Sequence, residues 1–224
     1  VASCQLPRLS TTKWARGTNN RSEAEGFTYT AMGNPETHTL NTQVVEGYTW
    51  HAAKGETGRP KDEEGLTRHL KSKTVTPAPA QNTTAPTLRS KYTYKTLTAV
   101  VGSEHSGPWH TLDNEVEAEV KGSLETELHK TVHDYYPMAA ANSTPLVKLR
   151  QGRLKSSTAT LNKDAKTATT TAFEYDKGEI GDDRKETVLI TQQTISGFDG
   201  TRKTLTHEHS LNHAQPLLSE DDNG

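Results

Sequence analysis

The stretch "TTTAFEYDKGEI", Thr169 to Ile180, decides how the rest of the chain is read. Phe173 and Tyr175 stand two apart with Glu174 between them, and the run before them is threonine. On a strand, residues two apart share a face, so both rings lie on one side and Glu174 on the other. A helix would place the same rings about 200° apart and waste the pairing. Threonine, being β-branched, also favours the pleated conformation.

The same doublet recurs as Phe27-Thr28-Tyr29, Tyr48-Thr49-Trp50 and Tyr92-Thr93-Tyr94, with Tyr135-Tyr136 as a weaker member. Phe27 to Tyr48 is 21 residues, Tyr48 to Tyr92 is 44, Tyr92 to Tyr135 is 43 and Tyr135 to Tyr175 is 40. These spacings fit one or two turns of a period near 20–22. Such a period marks repeat architecture, in which each unit buries its apolar face only against its neighbours.

The composition agrees with thinly covered sheets. Only 30% of the 224 residues are apolar, while 35 are threonine. The net charge of -2 gives no basic excess for nucleic acid. Cys4 is the only cysteine, so no intrachain disulfide is expected. Val1 is followed by no early apolar run, so neither a signal peptide nor a membrane-spanning helix is read.

Turn signals punctuate the doublets. Met32-Gly33-Asn34-Pro35, Asp176-Lys177-Gly178 and Phe198-Asp199-Gly200-Thr201 are expected turns, and residues 77–86 an expected loop. Leu70–Pro77 and Thr187–Ser196 are expected strands. Leu112–Val132 has apolar residues every four, yet Glu115 to Val120 alternates and Gly122 interrupts, which favours two strands around Gly122-Ser123. Gly55–Gly65 reads as a polar excursion with nothing to pack.

Phe173-x-Tyr175-Asp176 followed by Gly178 resembles the YD unit of RHS (rearrangement hotspot) repeats, whose period is similar. Gly26–Thr42 resembles a second unit, with Gly33-Asn34 in place and Thr30 where the motif has Asp. Gly65–Leu97 and Thr194–Gly224 are similar in character, so the resemblance spans residues 26–224 and leaves 1–25 unassigned. It implies an all-β chain of antiparallel strand–turn–strand repeats, a ribbon forming part of a hollow cocoon. Toxin-complex B and C subunits, polymorphic toxins and type VI effectors of this kind enclose a toxin domain until delivery. The implied function is a structural shell segment of a secreted bacterial protein. Its partners would be the rest of its own shell or a partner shell subunit, and the enclosed toxin. Neither nucleic acid nor membrane contact is implied. The doublets, Phe27, Tyr29, Tyr48, Trp50, Tyr92, Tyr94, Phe173 and Tyr175, with Asp176, would be structural and stack as ladders between successive strands. The chain, ending in the turn-like Asp222-Asn223-Gly224, is expected to be an incomplete piece that does not behave as a stable monomer alone.

The chemistry is sparse. The family cleaves itself around Asp-Pro-x-Gly, and no Asp-Pro pair occurs here, so no protease residue carries over. Neither a Gly-x-Ser-x-Gly elbow nor a phosphate-binding loop is present. His207, His209 and His213 have the spacing of zinc ligands, but polar strand residues and a turn explain them, so no metal, cofactor or enzyme activity is expected. His105, His110, His129 and His133 lack a ligand pattern. Asp62-Glu63-Glu64, Asp182-Asp183 and Asp221-Asp222 read as solvated turns. Two other functions compete: a β-rich module binding carbohydrate or a host surface through Trp14, Trp50 and Trp109, and a zinc-dependent hydrolase on the His207 group.

Overall fold

The computed structural model describes residues 6–79, 85–99, 108–140, 142–180 and 186–222. Cys4, His105, Asp182-Asp183 and the Asn223-Gly224 end of the last turn lie outside them. The described chain is all-β: β1 (Leu9–Arg16), β2 (Asn19–Tyr29), β3 (Pro35–Thr39), β4 (Val45–Trp50), β5 (Leu70–Thr76), β6 (Thr87–Leu97), β7 (Trp109–Lys121), β8 (Leu124–Tyr135), β9 (Leu154–Leu161), β10 (Asp164–Ile180), β11 (Glu186–Ser196), β12 (Arg202–Ser210) and β13 (Pro216–Asp221). They form one antiparallel sheet in chain order, each strand beside its sequence neighbours. The segment without an assignment supplies β1 and the first half of β2, a hairpin turning at Gly17-Thr18.

Connections differ by direction. Odd-to-even links are tight at 17–18, 122–123 and 162–163. Asn162 and Lys163 both adopt positive φ, as a two-residue type I′ turn demands. Even-to-odd links include the long segments 51–69 and 136–153. A bulge recurs where an even strand ends. Register shifts fall between Thr28 and Tyr29, Thr49 and Trp50, Asp134 and Tyr135, and Glu208 and His209. In each, the odd strand that follows carries one extra residue: Glu36, Lys71, Lys155 or Leu217. The repeat unit is therefore a hairpin, odd strand then even strand, with an irregularity at its open mouth.

The chain clusters into two units. One comprises residues up to Thr93 together with Glu115–Leu128, the other Tyr94–Asn114 and His129 onward. In the first, the buried side chains are Ala118, His51, Arg59 and Asp62, so its centre is mostly polar. In the second they are Ala139, Tyr175, Val188 and Ser210.

Several expectations are met. Leu112–Val132 is the β7–β8 hairpin around Gly122-Ser123. β5 ends just before Pro77 and β11 covers Thr187–Ser196. Turns form at Thr30–Asn34 and Gly197–Thr201, the latter fastened by Asp199 Oδ1, which accepts from the Thr201 amide and hydroxyl.

Two expectations are corrected. Asp176-Lys177-Gly178 is not a turn but the interior of β10, with Gly178 opposite Val188. A side chain at 178 would put its Cβ 2.8 Å from Ile190 Cδ1 and 3.2 Å from Val188 Cγ2, so glycine is there to admit β11's side chains. The helix α1 (Pro145–Arg150) was not foreseen. Thr144 caps it and Pro145 occupies the first turn, a start signal present in Ser143-Thr144-Pro145.

Gly178→Val should therefore lower stability by about 1–3 kcal/mol through overpacking against fully buried Val188. Urea unfolding of the variant beside the parent checks this.

Candidate functional site

The doublets all lie on even strands: Phe27/Tyr29 on β2, Tyr48/Trp50 on β4, Tyr92/Tyr94 on β6 and Phe173/Tyr175 on β10. In three of them a polar tip reaches back toward the start of the strand before. Tyr29 Oη donates to Pro7 O at 3.0 Å, Trp50 Nε1 to Pro35 O at 2.7 Å and Tyr175 Oη to Leu154 O at 2.9 Å. Tyr135, closing β8, donates to Leu112 O at 2.7 Å. Pro35 and Leu154 are the first residues of β3 and β9. The aromatic that ends one hairpin thus ties down the carbonyl near its opening. For the three tyrosines, donor and acceptor stand 22, 23 and 21 residues apart, and for Trp50 15. The aromatics of β4, β6, β8 and β10, 40–44 residues apart, fall on successive even strands, so those spacings are one hairpin each and not two units of about 21.

Strands lie about 4.8 Å apart, so doublets on alternate strands are separated by roughly twice that, beyond the ~4.5–7 Å of ring pairs. The intervening strands or links supply other partners. His38 stacks on Phe27 at 4.4 Å, Lys73 lies 5.8 Å from the Tyr48 ring, Lys95 4.9 Å from Tyr135 and Arg153 5.3 Å from Tyr175. Tyr136 lies edge-on to Tyr175 at 6.0 Å. Asp176, the last motif residue, is exposed and accepts from the Lys177 amide.

Segment 51–69 overturns the reading of Gly55–Gly65 as unpacked. Its base is clamped by the His51 amide donating to His69 O. Glu56 and Arg59 form a bridge that turns the chain back. Gly55, at φ +85°, permits the fold, since a Cβ there would sit 2.8 Å from Lys61 N. Asp62, far from being solvated, is 1% exposed. Its carboxylate accepts from Arg59 Nη2 at 2.9 Å, Arg68 Nε at 2.7 Å, and the Glu64 and Leu66 amides. Burial opposes its ionisation, but the Arg68 bond and charge, the Leu66 amide and Arg59 outweigh it and hold the carboxyl well below the usual range. Arg59 Nη2 also donates to His69 Nδ1 at 2.8 Å, which leaves no proton on that nitrogen. His51 lies between two oxygens, Glu56 Oε1 at 2.8 Å and Tyr92 O at 2.9 Å. Bonds from Lys71 and His51 lower Glu56 to about 2.

A second polar row crosses the same unit. His38 lies 3.0 Å from Glu25 and 3.4 Å from Glu46, and Glu46 accepts from Tyr48 Oη at 2.6 Å and pairs with Lys73. Burial first, and then the Glu46 carboxylate, push the Tyr48 hydroxyl up to about 12.

His207 and His209 lie on β12 and His213 in the turn after it. His207 Nδ1 bonds Ser219 Oγ at 3.0 Å. Among the described residues no three His, Cys, Asp or Glu side chains form a metal-sized group. Trp14 and Trp109 are half-exposed, whereas Trp50 is tied between strands. No helix among the described residues is long and apolar enough to cross a membrane.

Neither a family model nor a curated protein matches this chain. Its chemical capacity rests on the geometry: aromatic struts in four hairpins, and a charged, hydrogen-bonded segment beside β4–β6.

Tyr175→Phe should cost about 1 kcal/mol, because it leaves the Leu154 carbonyl unpaired beneath a buried ring, and Tyr29→Phe, in a more exposed setting, less. Denaturant titrations of both variants compare them. Glu56 contributes stability that is complete above its ordinary value near 4.5 and lost as pH falls through about 2. Glu56→Gln should flatten the pH dependence of the thermal midpoint across that window, as melting curves at successive pH values will show.

Proposed function

We propose that this chain is a wall segment of an RHS-type repeat shell, non-enzymatic, which encloses and helps deliver a toxin domain located elsewhere. The observation that carries the reading is the hairpin unit. Its tyrosine struts each span 21–23 residues, and bulges fall where the even strands β2, β4 and β8 end. A wall must hold without a filled interior, so its cohesion has to come from the backbone ladder and from cross-strand contacts worth roughly 0.2–1 kcal/mol each. Few side chains here are fully buried, and the threonine-rich strands leave polar groups on both faces. The partners in this reading are the remaining strands of the shell and the enclosed domain, and the setting is a secreted bacterial protein.

A second reading has a specific observation behind it. Trp14, 47% exposed, shares a cavity of about 440 Å³ with Lys13, Asn20 and Arg21, and Arg21 lies 5.7 Å from the indole centre. An exposed indole beside polar donors is a platform for a sugar ring, which would make β1–β2 a carbohydrate-binding hairpin.

Electron cryomicroscopy of the polypeptide that carries these residues, purified from its source, separates the two. The shell reading expects the thirteen strands within a continuous β-wall around enclosed density. A particle with no enclosed space, together with a glycan-array signal abolished by Trp14→Ala, would replace it with the binding module.

A further inference from the structure

Segment 51–69 does more than cover the sheet. Between it and strands β4–β6 lies a cavity of about 310 Å³. Its floor is a cross-strand row, Thr49 opposite Ser72 and Ser72 opposite Lys91, with Arg89 and Thr93 two residues to either side on the same face. Lys71, the extra residue of the β5 bulge, forms another wall, and His51 and Thr57 complete it.

Three cations line this cavity and no carboxylate does. The acids that balance them stand outside the lining. Glu56 pairs with Lys71 at 2.8 Å, and Glu125 takes Arg89 at 2.6 Å and also bonds Lys91. Each carboxylate fixes its cation's head group and leaves it further N–H donors, since an ammonium has three and a guanidinium five. The Thr49 and Ser72 hydroxyls, 2.7 Å apart, share one hydrogen and leave another to give.

We propose that this cavity binds the phosphate group of a small phosphorylated molecule about the size of a sugar. Charge-assisted donors converging from Lys71, Arg89 and Lys91 suit an oxyanion with three free oxygens. The volume exceeds what a bare oxyanion fills, being that of roughly ten waters at about 30 Å³ each. The remaining space is bounded by threonine methyls, lysine stems and Tyr92, which suit a ring-sized body. The proposal does not depend on the shell reading.

The test uses the whole chain, with glucose 6-phosphate, inorganic phosphate and glucose as three probes, followed by amide NMR shifts and calorimetry. Glucose 6-phosphate should saturate with a Kd of about 1 mM or below, moving the Thr49, Ser72, Lys91 and Thr93 amides. Inorganic phosphate should bind the same amides about tenfold more weakly, and glucose should leave them unmoved. Raising salt should weaken both anions. Lys91→Gln should reduce the affinity about tenfold. Glu125→Gln is the decisive variant, because it frees Arg89 and Lys91 from their carboxylate and should tighten binding severalfold, an effect that a purely structural role for the pair does not predict. It also serves if Lys91→Gln fails to fold. Absence of saturable shifts, glucose binding as well as its phosphate, or Glu125→Gln weakening or leaving binding unchanged would each overturn the proposal.

Discussion

A backbone carbonyl at the mouth of a hairpin has no ladder partner where the strands diverge, and if covered it must find a donor from elsewhere. This constraint organises the described structure. Aromatics of the even strands supply the donor: Tyr29, Trp50 and Tyr135 at their strands' ends, and Tyr175 within β10, each donate a hydrogen bond to a carbonyl at or near the start of the strand before. The ring that carries the donor covers the hairpin's end, and the strand that follows yields to it with an extra residue after Tyr29, Trp50 and Tyr135. The strut spans one hairpin, so its two ends stand 15 to 23 residues apart in sequence.

The first unit adds a different solution to the same lack of apolar material. Its centre holds His51, Arg59 and Asp62. Charges taken from water cost several kcal/mol each unless geometry and hydrogen bonds compensate. Asp62 fills its acceptor capacity with two guanidinium groups and two amides, which is near the maximum for a carboxylate. Arg59 is less complete, since its buried Nε lacks a hydrogen-bond partner among the described residues. Such a network holds one conformation sharply, because displacing any member strands a buried charge. Segment 51–69 is thereby fixed over β4–β6, and the cavity beneath it keeps its shape.

Both features bear on function through the same physics. A sheet braced at its ends by hydroxyl–carbonyl bonds needs no solid interior, which is what a wall around a separate cargo requires. A rigid charged segment over that sheet presents cations with their counter-acids held behind them. The first supports the shell reading and the second the phosphate site, and each rests on its own residues.

The alternation of Phe173-Glu174-Tyr175, the threonine content and the turn dipeptides were enough to determine strands and hairpins, because period-two geometry and turn chemistry are local properties. The β7–β8 hairpin was legible for the same reason. The period near 21 was not, since the aromatics of β4, β6, β8 and β10, 40–44 residues apart, fall on successive even strands, one hairpin each. Other features needed the third dimension. Asp176-Lys177-Gly178 has turn composition, yet β10 continues through it, because Val188 and Ile190 across the ladder require a glycine's empty face. Tyr48, Tyr135 and Tyr175 have Lys73, Lys95 and Arg153 over their rings, neighbours set by strand pairing that spacing alone does not contain. Asp62 sits in a run of acids beside glycine, which in sequence is indistinguishable from a solvated turn. Only the fold brings Arg59 and Arg68 onto its carboxylate, and burial of a charge is decided by whether such partners converge, not by the residues next to it in the chain.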